Sequence, residues 1–209
     1  MTLRTVPAIA ILGALVAFAG CGGASPSNTG TTIATSTGTT TAPTTTDPTS
    51  STGGESELPK VALVNGVYTS RDKSYSFRPD PAWDSGIDSD QIYFATNSAR
   101  THTITLSSEP LAGLPANLKD FVDISMETAP EDITGFTLRS RTRITLPSGD
   151  KAERIEYTGS IDDSPVMHFL TLVTISAENA VTASFATPTT EFADAVKRVE
   201  PVLRTIDVH

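Results

Sequence analysis

Four kinds of residue in this 209-residue chain could do chemistry: one cysteine, three histidines, a group of aspartates and a row of arginines. Cys21 is the only thiol, so no intrachain disulfide can form and no cysteine cluster can hold a metal. His102 lies in Thr101-His102-Thr103-Ile104, His168 in Val166-Met167-His168-Phe169, and His209 is the last residue given. None stands at a His-x-x-x-His or Glu-x-x-His spacing, which would set two ligands on one helix face, so no zinc centre is signalled. There is no Gly-x-Ser-x-Gly elbow for a serine nucleophile and no Gly-rich loop to cradle a phosphate. With no nucleophile–base pair and no cofactor motif, the sequence reads as a non-enzyme without metal or cofactor.

The charged groups are more informative. Asp80, Asp84, Asp88 and Asp90 gather around Trp83. Calcium takes several oxygen ligands, but the regular calcium-loop pattern is missing, so the cluster reads as a solvated loop. Phe136 to Leu146 alternates at the period of a strand, which places Arg139, Arg141 and Arg143 on one face. Guanidinium forks suit carboxylates and phosphates, so this stripe is the candidate partner-binding surface, for an acidic envelope protein or an anionic glycolipid. The plainer alternative is that the three pair with Glu153 and Glu156 across the hairpin. Residues 58–209 hold 21 acidic against 14 basic side chains. That balance argues against nucleic acid and against direct docking on anionic headgroups.

Cys21 closes an apolar run from Ala8 to Ala19 that Arg4 precedes. A basic start, an apolar middle and small residues at the end form a secretory signal. The run is short of the ~20 apolar residues a transmembrane helix needs. Phe18-Ala19-Gly20-Cys21 resembles the lipobox of bacterial lipoproteins, with Phe18 where that family usually has Leu. The resemblance implies cleavage before Cys21, with residues 1–20 as signal peptide. It also implies a thioether-linked diacylglyceryl group on Cys21, carrying chains such as palmitate. The expected address is the extracytoplasmic face of the cell membrane, held by lipid. Each buried CH₂ adds ~0.8 kcal/mol, so two chains hold where one is marginal.

Residues 21–57 are almost entirely Thr, Ser, Gly, Ala and Pro, with Ile33 the large apolar exception. Such a stretch cannot bury enough surface to offset its conformational entropy and reads as a disordered tether. A flexible chain of ~35 residues reaches about 30–35 Å on average. Residues 58–209 then form one domain, long enough for its own core.

In that domain Val67-Tyr68-Thr69 and Tyr75-Ser76-Phe77 predict a hairpin, and Pro79 to Trp83 a turn that seats Trp83 in the core. Gln91–Ala95 and Thr103–Leu106 read as strands. A helix is expected over 116–129, capped by Asn117, with Leu118, Phe121, Val122, Ser125 and Met126 on one face. Three long strands follow Phe136–Leu146: Lys151–Thr158, Val166–Ser176 and Val181–Phe185. Asp162-Asp163 reads as a hairpin turn. A closing helix spans 190–204, with Pro201 disturbing its end. The fold class is α+β, an antiparallel sheet flanked by helices.

Tyr68-Thr69-Ser70, then Tyr75-Ser76-Phe77-Arg78-Pro79 and Trp83, is similar to the opening of PsbP/Mog1/DcrB-like domains. The β-meander and C-terminal helix continue the likeness, which includes the mycobacterial LpqN group. This resemblance implies an α/β/α sandwich and a protein that assists larger machines rather than an enzyme. The expected function is a membrane-anchored, non-catalytic binding or assembly module for an envelope complex. One alternative is a carrier of a small ligand or glycolipid, which an apolar cavity between sheet and helix would favour. Another is an unrecognised hydrolase, which a buried histidine with a carboxylate partner would favour.

Overall fold

The computed structural model describes residues 60–209, apart from 89, 90, 98, 162 and 163. The signal segment, Cys21, the tether and the Asp162-Asp163 turn lie outside the described residues. In chain order the elements are β1 (Tyr68–Thr69), β2 (Tyr75–Phe77), β3 (Asp84–Asp88), β4 (Gln91–Ala95) and β5 (Thr103–Pro110). Then come α1 (Leu118–Asp132), β6 (Ile133–Thr145), β7 (Lys151–Ile161), β8 (Met167–Ile175), β9 (Asn179–Pro188), α2 (Phe192–Leu203) and β10 (Asp207–Val208).

Seven strands form the main sheet in the order β3-β4-β5-β9-β8-β7-β6, antiparallel throughout. β8 and β9 are buried along nearly their whole length, on both faces. Each face therefore needs a cover. On one, Leu170, Leu172, Val181, Ala183, Phe185, Ile104 and Leu106 pack with Ala195, Val199 and Leu203 of α2. On the other, Tyr157, Phe169 and Val173 pack with Leu118, Phe121 and Val122 of α1. The result is the expected α/β/α sandwich with an α+β element order.

Sequence explains the helix limits. The Asn117 side chain accepts from the Asp120 N–H at 2.9 Å, which satisfies one orphan donor of α1. The run of helical residues extends past the expected end, through Pro130, to Asp132. A small sheet, β1-β2-β10, closes the α2 side. Its Tyr68, Tyr75 and Phe77 join that core, and the ring of Phe77 meets Phe94 at 5.4 Å. β10 is too short to show any periodicity in the sequence.

Two expectations are corrected at the start of the domain. Asp84 to Asp88 is not a solvated loop but edge strand β3, paired with β4. The Asp84 carboxylate is engaged by Lys60 and by Arg100. Trp83 follows a turn in which its N–H donates to the Asp80 carbonyl at 3.0 Å. It is half-buried against the α2-side core rather than seated inside it.

The largest correction concerns β6. Its register against β7 shifts twice, between Thr134 and Thr137 and between Leu138 and Ser140. Gly135, at φ +68°, supplies the left-handed residue of the first bulge, and Arg139 is the extra residue of the second. A one-residue slip moves every following side chain to the opposite face. Between the two bulges the phase is therefore inverted: Phe136 and Leu138 stand on the α1 side, with Tyr157, while Ser140, Thr142 and Ile144 stand on the α2 side.

Gly159 lies opposite the first bulge. A Cβ there would meet Ile133 Cγ2 at 2.3 Å and the Thr134 carbonyl oxygen at 3.2 Å. Gly159→Ala should lower stability by about 1–3 kcal/mol, the usual cost of overpacking. Urea unfolding checks this; an unchanged midpoint would show that the bulge can move aside.

Candidate functional site

The bulges decide what the arginines can do. Arg141 and Arg143 lie on the α1 side, opposite Ile155 and Glu153 of β7. Glu153 is only 5% exposed. It accepts from Arg141 Nε at 3.0 Å through one oxygen, and from Arg143 Nε and Nη2 at 2.9 and 2.7 Å through the other. Arg141 also donates through Nη1 to Asp123 at 2.6 Å and through Nη2 to the Lys119 carbonyl. It thus ties β6 to both β7 and α1. Breaking one partner out of a buried pair costs about 3–5 kcal/mol, because the other charge stays buried. Arg141 is structural on these contacts.

Arg139 is on the opposite face. It donates to the Thr158 hydroxyl at 3.4 Å and is exposed. Among the described residues no carboxylate forms an ion pair with it. The three arginines therefore do not form one stripe. Arg141 is a strut, Arg143 is half free with 52% side-chain exposure, and Arg139 stands alone across the sheet. Glu153 pairs as the plainer alternative expects; Glu156 does not.

Glu156 belongs to a network on the α2 side. It accepts from Arg154 Nη1 at 3.3 Å and from His168 Nε2 at 3.1 Å. Arg154 forms a two-pronged pair with Glu200 of α2, both contacts 3.1 Å, and Glu200 accepts again from Arg204. Arg154 and Glu200 are 46 positions apart, so no local spacing signals the pair. A shallow groove of about 440 Å³ runs beside Val196, Lys197, Glu200, Pro201 and Arg204.

His102, just before β5, and His168, in β8, are both paired. His168 stacks on Phe192 at 3.5 Å, with the rings 6° from parallel. His102 meets the Glu191 carboxylate at 2.6 Å and makes a T-shaped contact with the ring of Phe185. Glu191 and Phe192 mark the start of α2, so the two histidines clasp that helix to the sheet. Among the described residues no hydroxyl or thiol is hydrogen-bonded to either imidazole. No group of three or more metal-ligating side chains is arranged for an ion among them either.

Burial pushes the His168 pKa down, the Glu156 charge and hydrogen bond pull it up, and the Arg139 charge pushes it down again. The net value lies below the ordinary 6.5. An unfolded chain then takes up the proton first. The stabilisation is fully present above 6.5 and is lost as pH falls through the lower folded value. Urea midpoints should therefore drop between pH 7.5 and 5.5, and His168→Gln should remove part of that drop. Identical pH slopes in the two proteins would sink this assignment.

By sequence, no protein-family profile and no curated protein matches the chain. Solved structures do match. PsbP of the cyanobacterium Synechocystis sp. PCC 6803 superposes with a TM-score of 0.51 at 18% identity, over 78% of this chain and all of that one. A Pseudomonas aeruginosa protein of unknown function gives 0.51 at 17%, over 68% of this chain and 96% of its own. The domain has a PsbP-like fold. At such identities the likeness speaks for the fold alone, so any role for the PsbP-like domain must be argued from its own residues.

Proposed function

We propose that this chain is a cell-envelope lipoprotein, anchored at the outer face of the membrane through acylated Cys21. Its PsbP-like domain acts as a non-catalytic binding or assembly module for an envelope protein complex. The observation that carries the proposal is the exposure of Arg139 and Arg143 on an edge strand of an otherwise acidic domain. Cations left open to solvent attract acidic partners, whereas a cation wrapped by carboxylates, such as Arg141, has little left to offer.

The hydrolase reading draws on the two histidine–carboxylate pairs. Against it, each carboxylate takes the Nε2 atom, no nucleophile adjoins either ring among the described residues, and Phe192 covers His168. A helix clasp accounts for both pairs. The carrier reading would want an apolar cavity between sheet and helix. The groove described above lies along α2, where charged Lys197, Glu200 and Arg204 share its lining with Val196 and Pro201.

No helix among the described residues is long and apolar enough to cross a membrane, so attachment in this reading rests on Cys21. Cys21→Ser should move the protein to the soluble fraction or leave the precursor uncleaved. Unaltered fractionation and mass would remove the lipid anchor from the proposal. Partner capture is tested with Arg139→Glu/Arg143→Glu, leaving Arg141 in place to protect the fold. Because Arg143 is one of the two arginines that hold the buried Glu153, this variant should melt below the parent yet stay folded, and its folded fraction should lose the proteins that the parent pulls from solubilised membranes. Equal capture by both would show that the arginine edge is not the recognition surface.

A further inference from the structure

β6 is the last strand of the main sheet and pairs, among the described residues, with β7 alone. Its 13 residues divide in two. From Ile133 to Arg139 the bulges break the ladder, and bulges are a common way to keep an edge from pairing. From Ser140 to Thr145 the register with β7 is unbroken, Ser140 opposite Glu156 through Thr145 opposite Lys151. Six regular residues match the usual length of a strand. Their outer edge presents a row of backbone donors and acceptors with no partner strand.

The charge along this edge is opposite to that of the domain. Arg139, Arg141 and Arg143, with Lys119 and Lys151 beside them, stand among Asp120, Asp123, Glu153 and Glu156. That is five cations against four carboxylates, of which Glu156 is also held by Arg154 and His168, within a domain where acids exceed bases. The buried Glu153 holds Arg143 by Nε and Nη2 and leaves Nη1 free to donate. Arg143 is thus positioned in advance on one face of the sheet, while Arg139 stands on the other. A strand laid on this edge would bring alternate side chains to each face.

We propose that the Ser140–Thr145 edge receives an extended acidic segment of a partner protein, which joins the main sheet as one more strand. This rests on the arginine-edge reading above and specifies how that edge is engaged. Main-chain hydrogen bonds to β6 supply affinity, and carboxylates facing Arg143 and Arg139 supply selection. A neutral or basic segment would gain the same ladder but no charge pairing. An acidic helix would gain the charge pairing but no ladder.

The test uses the full mature chain and two synthetic peptides, at concentrations up to millimolar. The first is a blocked nonapeptide that repeats Glu-Glu-Val-Val, so that carboxylates reach both faces of the sheet. The second has the same side chains with alternate amides N-methylated, which keeps the charge and removes the ladder. The first should bind and slow amide exchange over 140–145 by about tenfold or more, and Arg139→Glu/Arg143→Glu should weaken it by about tenfold. The N-methylated peptide should do neither. Equal binding of both peptides, without protection of β6, would overturn strand addition and leave recognition by charge standing. Binding of neither, while membrane capture still depends on Arg139 and Arg143, would overturn it too. Protection of β6 by the first peptide, with membrane capture indifferent to those arginines, would support strand addition and end the wider reading instead.

Discussion

The architecture follows from one constraint: the central strands of the sheet are apolar or small-residue on both faces. β8 reads Met-His-Phe-Leu-Thr-Leu-Val-Thr-Ile and β9 reads Asn-Ala-Val-Thr-Ala-Ser-Phe-Ala-Thr-Pro, with almost no residue of either open to solvent. A sheet whose centre is dry on both sides needs a layer on each. The two helices meet this demand from opposite directions. α1 leaves the β5 side and crosses to the far edge, so the meander β6 to β9 can walk back to β5. α2 then starts at the end of β9 and covers the other face. The small residues Ala180, Ala183 and Ala186 in β9 allow both layers to approach closely.

Given that frame, polar groups are placed where the layers end. The Arg154–Glu200 pair joins β7 to α2, and the Arg141–Asp123 pair joins β6 to α1. Each spans a sheet–helix joint at its half-exposed margin rather than in the dry centre. Placement there lowers the desolvation cost that burdens a fully buried pair. The clasp of α2 by His102 and His168 is of the same type. It uses aromatic stacking on one side and a carboxylate on the other to hold the first turn of a helix whose N-cap side chain makes no capping bond.

Much of this was legible in the sequence because it is local and periodic. The hairpin of β1 and β2, the Asn117 cap, the buried face of α1, the three long strands after β6 and the closing helix all stand near their expected places. The misses have a common cause. β3 was hidden because Asp84, Gly86 and Asp88 carry poor strand propensity, and its strand state comes from pairing with β4. β10 is two residues long and exists only because β2 offers an edge. The Glu200 partner of Arg154 is visible only after folding. The arginine face failed for a sharper reason: period-two reasoning assumes an unbroken ladder, and β6 breaks it twice. Gly135 inside a strand pattern, in Ile133-Thr134-Gly135-Phe136, was the one signal in the sequence that could have warned of it.

The second bulge also changes what the charges mean. Had β6 run without interruption, three like charges would have lined one face and repelled one another at every second position. The register shift at Arg139 relieves that. It sends one guanidinium to the opposite face and leaves two to share a single buried carboxylate. Sharing is possible because Glu153 has two oxygens and each arginine approaches a different one. The price in charge is uneven: Arg141 is surrounded, whereas Arg143 keeps a free N–H and Arg139 keeps nearly all of its own. A strand that must sit at the edge of a sheet thus acquires exposed cations without losing the interior pairing that holds it there. The same bulges spoil the ladder over the first half of the strand, so the regular edge is confined to the half beside Arg143. The cations and the open ladder coincide in space because both are consequences of where β6 breaks its register.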